Sequence, residues 1–225
     1  MQNKPFYIGF LFLFLFACHS ANKEKHVVSE TSSVQTLGYF GNPAFTMKEV
    51  NGEMVEDTIY PRIPDFSFTD QNNEEVTQAN FEGKIYVADF FFTSCPTICP
   101  IMKKELLRVY EKYQDNPKVS ILSHTIDPVY DNVEVLHDFA ERMDVKTPTW
   151  YFVTGEKEAI YGMADYYLSY AEKDGSAPGG YVHSGALTLI DTQKYIRGVY
   201  DGTSSEDVDR LIKEIEILLR EENNR

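Results

Sequence analysis

Between Lys84 and Thr93 the chain is apolar at every position except Asp89, and it then runs directly into Cys95-Pro96-Thr97-Ile98-Cys99-Pro100. A short, β-prone and nearly continuous apolar run reads as a strand buried on both faces. Such a strand belongs in the middle of a sheet covered by helices. The following residues supply that setting. A helix is predicted from the cysteine motif to about Tyr113, with Met102, Leu106, Leu107, Val109 and Tyr110 on its apolar side. Val119 to Ile126 is the next strand, closed by Asp127-Pro128, and a helix from about Asn132 to Met143 spaces Val135, Leu136 and Phe139 helically. Trp150–Val153 reads as a strand and Glu156–Leu168 as a helix.

A Gly/Pro/Ser-rich loop, Gly175 to Gly180, leads into Val182–Asp191, which is expected to pair with Tyr195–Tyr200 as a hairpin. The last helix shows a one-sided stripe of Val208, Leu211, Ile212, Ile215, Leu218 and Leu219, the pattern of a helix lying on a sheet. Thr203 and Glu206 have the spacing of a capping box. A parallel βα section followed by a late hairpin is the thioredoxin-like arrangement. The fold predicted for residues 64–222 is therefore α/β, a central mixed sheet flanked by helices. Ahead of it, Thr46–Val50 and Glu53–Tyr60 flank Asn51-Gly52, a dipeptide suited to a two-residue hairpin turn. Residues 38–63 thus form an N-terminal hairpin extension. A second short hairpin is predicted at Phe66–Thr69 and Glu75–Thr77, around Gln71-Asn72-Asn73.

The chain has three cysteines in 225 residues, too few for a disulfide-stapled scaffold. The first ends an apolar stretch, Phe6 to Ala17, preceded by Lys4. Twelve residues are too short to span a bilayer, which takes ~20, but they suit a secretory signal. Leu15-Phe16-Ala17-Cys18 looks like a bacterial lipobox, so residues 1–17 are expected to be removed and Cys18 to be acylated. Residues 18–37 would then be a flexible tether. The protein is expected in the bacterial cell envelope, lipid-anchored on the extracytoplasmic (periplasmic) side of a membrane. Its 21 Lys and Arg stand against 35 Asp and Glu, a net charge of −14, which argues against nucleic acid as a partner.

Cys95 and Cys99 are four apart where a buried strand meets a helix, so both sulfurs can face one atom or bond to each other. A helix N-terminus favours thiolate, making the pair nucleophilic and metal-binding. A structural disulfide would close a very small loop and constrain little of the unfolded chain. Thiolates are soft ligands that select Cu(I), Zn or iron–sulfur clusters. Two cysteines do not hold a cluster, and no CxxCH haem attachment occurs. One further ligand would complete a site. Of five histidines, His19 and His26 lie in the tether, His124 in a strand, and His137 on a helix in a solvated position. His183 follows Gly179-Gly180 near the start of a late strand, and is either a ligand or an ordinary strand histidine.

Asp89-Phe90-Phe91-Phe92-Thr93-Ser94-Cys95-Pro96-Thr97-Ile98-Cys99-Pro100, then Thr125-Ile126-Asp127-Pro128, Phe152-Val153-Thr154-Gly155 and Val182-His183-Ser184 resemble the Sco (SenC) copper-chaperone family. The motifs keep the family's order, and a histidine stands 84 positions after Cys99. The resemblance implies a thioredoxin-like domain that binds copper, Cu(I) or Cu(II), through Cys95, Cys99 and His183. It also implies delivery to, or cysteine reduction at, the dinuclear copper centre of cytochrome c oxidase subunit II or another cuproprotein. Asp127 matches a family acidic residue beside the site. This chain departs from the pattern at Tyr130, where the family commonly has an arginine before Asp131.

Two functions compete. One is a metallochaperone, a binding and transfer protein without turnover. The other is an extracytoplasmic thiol–disulfide oxidoreductase, with Cys95 attacking and Cys99 resolving. Against the second, the spacing is CxxxC and not CxxC, and Pro178 lies five residues before His183 instead of immediately ahead of the strand. A peroxiredoxin-type peroxidase shares only the fold class.

Overall fold

The structure is a computed structural model and describes residues 35–224. The signal segment, Cys18, His19, His26 and most of the tether lie outside the described residues. Among the described residues, no helix is long and apolar enough to cross a membrane.

The first elements are β1 (Ala44–Val50) and β2 (Glu53–Ile59), paired antiparallel in unbroken register from Ala44↔Ile59 to Val50↔Glu53. Asn51 and Gly52 take φ of 54° and 86°, as the turn between closely paired strands requires. This is the hairpin that Asn51-Gly52 predicts, and it forms a two-stranded sheet of its own.

There follow β3 (Ser67–Asp70), β4 (Glu75–Thr77), β5 (Ile85–Phe91), α1 (Cys99–Tyr113), β6 (Val119–Thr125), α2 (Val133–Met143), β7 (Trp150–Thr154) and α3 (Lys157–Tyr166). The chain continues through β8 (Ala171–Lys173), β9 (Tyr181–His183), β10 (Ala186–Ile190), β11 (Ile196–Asp201) and α4 (Ser205–Asn223). Seven strands make one mixed sheet in the order β11-β10-β5-β6-β7-β3-β4. β5, β6 and β7 are parallel, and the other pairings are antiparallel. All seven residues of β5 are buried, because β10 and β6 flank it and α1 and α4 pack nearby. The apolar run between Lys84 and Thr93 has no other way to leave water. On α4, Val208, Leu211, Ile215 and Leu218 of the predicted stripe are fully buried.

Three local expectations are corrected. The late strand is not continuous from Val182 to Asp191. Ser184 donates its amide to the Tyr170 carbonyl at 2.9 Å and shares a hydroxyl contact with Ser169 at 2.8 Å. These bonds draw residues 181–183 away from the central sheet, onto β8, a strand that has no clear signal in the sequence. The capping box does not form at Thr203. Asp201 takes the Thr203 amide and hydroxyl at 2.8 and 2.6 Å, so Ser204 caps α4 by accepting from the Asp207 amide. Finally, α1 begins at Cys99, with Pro100 in its first turn, where a missing N–H costs nothing. Cys95 is in the loop ahead of it.

Candidate metal centre

The parallel strand β5 delivers the chain to the C-terminal edge of the sheet, where Phe92 to Ile98 form the loop before α1. Asp131 holds that loop in place. Fully buried, it accepts from the Thr93 amide at 3.0 Å, from the Thr93 hydroxyl, and from the Thr125 hydroxyl at 2.5 Å. Burial raises its pKa against the opposing pull of those bonds. Three donors on one carboxylate tie the approach to Cys95 to the end of β6. Asp131 belongs to no recognisable motif by itself; its place just after the Asp127-Pro128 turn is the one sequence signal that points to it.

Cys95 and Cys99 are free thiols, 8% and 4% exposed. Their environments differ. Burial raises the Cys95 pKa, but hydrogen bonds from the Thr97 and Cys99 amides and side chains outweigh it, so the net shift is downward. The Cys99 amide opens α1 and the Thr97 amide lies in the loop just ahead of it, where unpaired N–H groups favour negative charge. Cys99 is deeper, and burial pushes its thiol well up.

His183 closes the group from β9. Its Nδ1 donates to the Ser184 carbonyl at 3.0 Å, and Nε2 lies 3.1 Å from Cys99 Sγ. A carbonyl only accepts, so the proton sits on Nδ1 and the Nε2 lone pair faces the sulfur. Burial lowers the His183 pKa, which favours the neutral ring. Phe92 braces it edge-on, with ring centres 5.9 Å apart. The two sulfurs and an imidazole nitrogen all lie within 4.8 Å of one another. Metal bonds of ~2.0–2.3 Å would place two ligand atoms no more than ~4.6 Å apart. Closing on one ion thus takes side-chain adjustment of less than an ångström or so, and the donor set suits a soft cation.

Asp127 is not in that group. Together with burial, the larger cause, its carboxylate raises the pKa of the Tyr181 hydroxyl, two residues before His183. Tyr130 is 56% exposed on the same loop. His137, at an exposed position, has Nδ1 3.2 Å from the Gln71 carbonyl, far in function from the sulfurs. His124 is fully buried in the core.

The SCO1/SenC family profile matches residues 56–220. The SCO1 protein homolog of Bacillus subtilis is 25% identical over 168 residues, which cover 73% of this chain and 86% of that one. The fold is similar to the crystal structure of a SCO1/SenC family lipoprotein from Bacillus anthracis, with TM-score 0.63, 26% identity, and coverage of 70% of this chain and 95% of that one. It is also similar to Arabidopsis thaliana ScoI with copper bound, with TM-score 0.58, 26% identity, and coverage of 69% and 99%. A thioredoxin-like sheet, a CxxxC pair at its C-terminal edge and a histidine folded back against it are thus found together in one chain, and that chain belongs to the SCO1/SenC family.

Proposed function

We propose that this protein is a copper metallochaperone that holds its cargo through Cys95, Cys99 and His183 and passes it to the dinuclear copper site of cytochrome c oxidase or to another cuproprotein. The observation that carries the reading is the convergence of two sulfurs and one imidazole nitrogen within 4.8 Å. A relative in the same family has been crystallised with copper bound. Two thiolates suit Cu(I), and the imidazole also accommodates Cu(II). An oxidised Cys95–Cys99 pair offers no thiolate, so loading follows reduction. Acylation of Cys18 would hold the domain at the extracytoplasmic face of the membrane, within reach of a membrane-bound recipient.

A second reading, thiol–disulfide exchange with a cuproprotein's cysteines, is favoured by one observation: Cys95 stands in the loop ahead of α1, where hydrogen bonds pull its pKa down, while Cys99 lies deeper on the helix and burial pushes its thiol up. That is the division of labour between an attacking and a resolving thiol. His183→Ala separates the readings. Cu(I) should remain bound, more weakly, because two thiolates coordinate it linearly. Cu(II) should be lost at least 100-fold more severely, about 3 kcal/mol. Disulfide reduction by the same variant should change little. Absorbance titration and an insulin-reduction assay on one sample make the comparison. Unchanged Cu(II) binding with abolished exchange would establish the oxidoreductase instead.

A further inference from the structure

Lys103 lies one helical turn beyond Cys99, on the same side of α1. Both line one cleft of about 300 Å³, together with Phe92, Cys95 and Phe139. The lysine side chain is only 6% exposed and that of Asp89 is fully buried; their charged atoms are 2.7 Å apart. Lys103 Nζ also donates to Ser123 Oγ at 2.9 Å and sits 4.0 Å from the centre of the Phe91 ring. The Ser123 hydroxyl donates to Asp89 and accepts from Trp150 Nε1 at 2.9 Å. Asp89 is the single charged residue of β5, a strand buried at all seven positions.

Stability is a poor explanation for this pair. Taking two charges out of water costs several kcal/mol per ion, and apolar replacements of buried pairs are often neutral or stabilising. The lysine is also aimed. It lines the same cleft as Cys95 and Cys99, and the Asp89 carboxylate 2.7 Å away opposes the burial that lowers its pKa. Cu(I) held by two thiolates and a neutral imidazole carries one net negative charge. In a site as buried as this, such a charge is costly without a counter-charge nearby.

We infer that Lys103 is a positioning residue for the metal centre: a fixed cation, held under Cys99 by Asp89 and Ser123, that stabilises negative charge on the sulfur pair. For the cargo this rests on the chaperone reading. The metal-free thiol equilibrium used as its second readout does not depend on that reading.

The decisive variant is the double substitution Asp89→Asn with Lys103→Gln, which keeps volume and hydrogen bonding and removes both charges. Lys103→Met alone serves as its companion. Two quantities are read on the full-length protein. One is Cu(I) affinity, by competition with a chromophoric chelator. The other, without metal, is the equilibrium in which protein dithiol and one glutathione disulfide give protein disulfide and two glutathiones. The double variant should bind Cu(I) at least tenfold more weakly, and its thiol equilibrium should move at least threefold toward the disulfide. Lys103→Met should lose more Cu(I) affinity, since Asp89 is then unbalanced. A folded double variant with wild-type values in both measurements would overturn the inference. So would failure of both variants to fold, which would make the pair structural. If the unsubstituted protein took up no Cu(I), the chaperone reading would fall, and the glutathione equilibrium would still decide the role of Lys103.

Discussion

At the scale of single residues, His124 shows what burial does to a titratable group. Its ring stacks on Phe90 at 4.7 Å and meets Phe68 edge-on at 5.4 Å. Nδ1 is a long 3.4 Å from the Asp89 carbonyl, and Nε2 has no hydrogen-bond partner. Burial holds its pKa down to about 4, against ~6.5 in an unfolded chain. Between those values the unfolded state binds the proton and the folded state does not. Stability is therefore full above pH ~6.5 and falls as pH drops toward 4, by ~3 kcal/mol in total. His124→Phe should flatten this part of the profile, measured as urea unfolding at pH 7.5 and pH 4.5. Equal pH dependence in the two proteins would refute the assignment. The place of His124 in a buried strand was legible from its neighbours. The missing partner of Nε2 was not, because that depends on which rings surround it.

At the scale of elements, His183 depends on a loop that reaches back over the cysteine motif. Gly179 sits in that loop at φ 78°, and a Cβ there would come 2.8 Å from Phe92 Cε2 and 3.2 Å from Pro96 Cδ. Glycine is required twice, for the backbone angle and for the close approach. Gly179→Ala should cost ~1–2 kcal/mol from the left-handed conformation alone, and should lift β9 from the cysteines. Cu(II) affinity, which needs the imidazole, should fall at least tenfold, and Cu(I) affinity should fall less. Isothermal titration with each ion checks this, and native Cu(II) affinity would contradict it. The Gly179-Gly180 signal was visible in the sequence as a loop. Its role was hidden, since Phe92 and Pro96 lie more than 80 positions away. The N-terminus of α4 teaches the same lesson at shorter range. Thr203, Ser204 and Ser205 are all plausible caps, and Asp201 decides among them by taking Thr203 for itself.

At the scale of the molecule, removal of residues 1–17 with their Lys4 would take the net charge from −14 to −15, and a chain of either charge is repelled by anionic lipid headgroups. On the anchoring proposed above, residence at a membrane would come from a lipid on Cys18. One acyl chain gives only marginal attachment, so a multiply acylated terminus is required. Cys18→Ser should move the protein from the membrane pellet to the soluble fraction or block its processing, read by fractionation and intact mass. A processed variant that still sediments with membranes would rule this anchor out. The features that the sequence by itself determined are the ones that local physics encodes: the buried strand before the cysteines, the alternation of strands and helices, the Asn51-Gly52 turn, and the spacing of two thiols at a helix start. Each follows from periodicity, propensity or turn chemistry within a dozen residues. Only the tertiary structure decided which histidine faces the sulfurs, that Asp131 pins their loop, that Lys103 shares their cleft, and that the late strand breaks after His183. Those outcomes are set by contacts between residues distant in the chain, whose geometry exists only once the sheet has closed and its helices have packed.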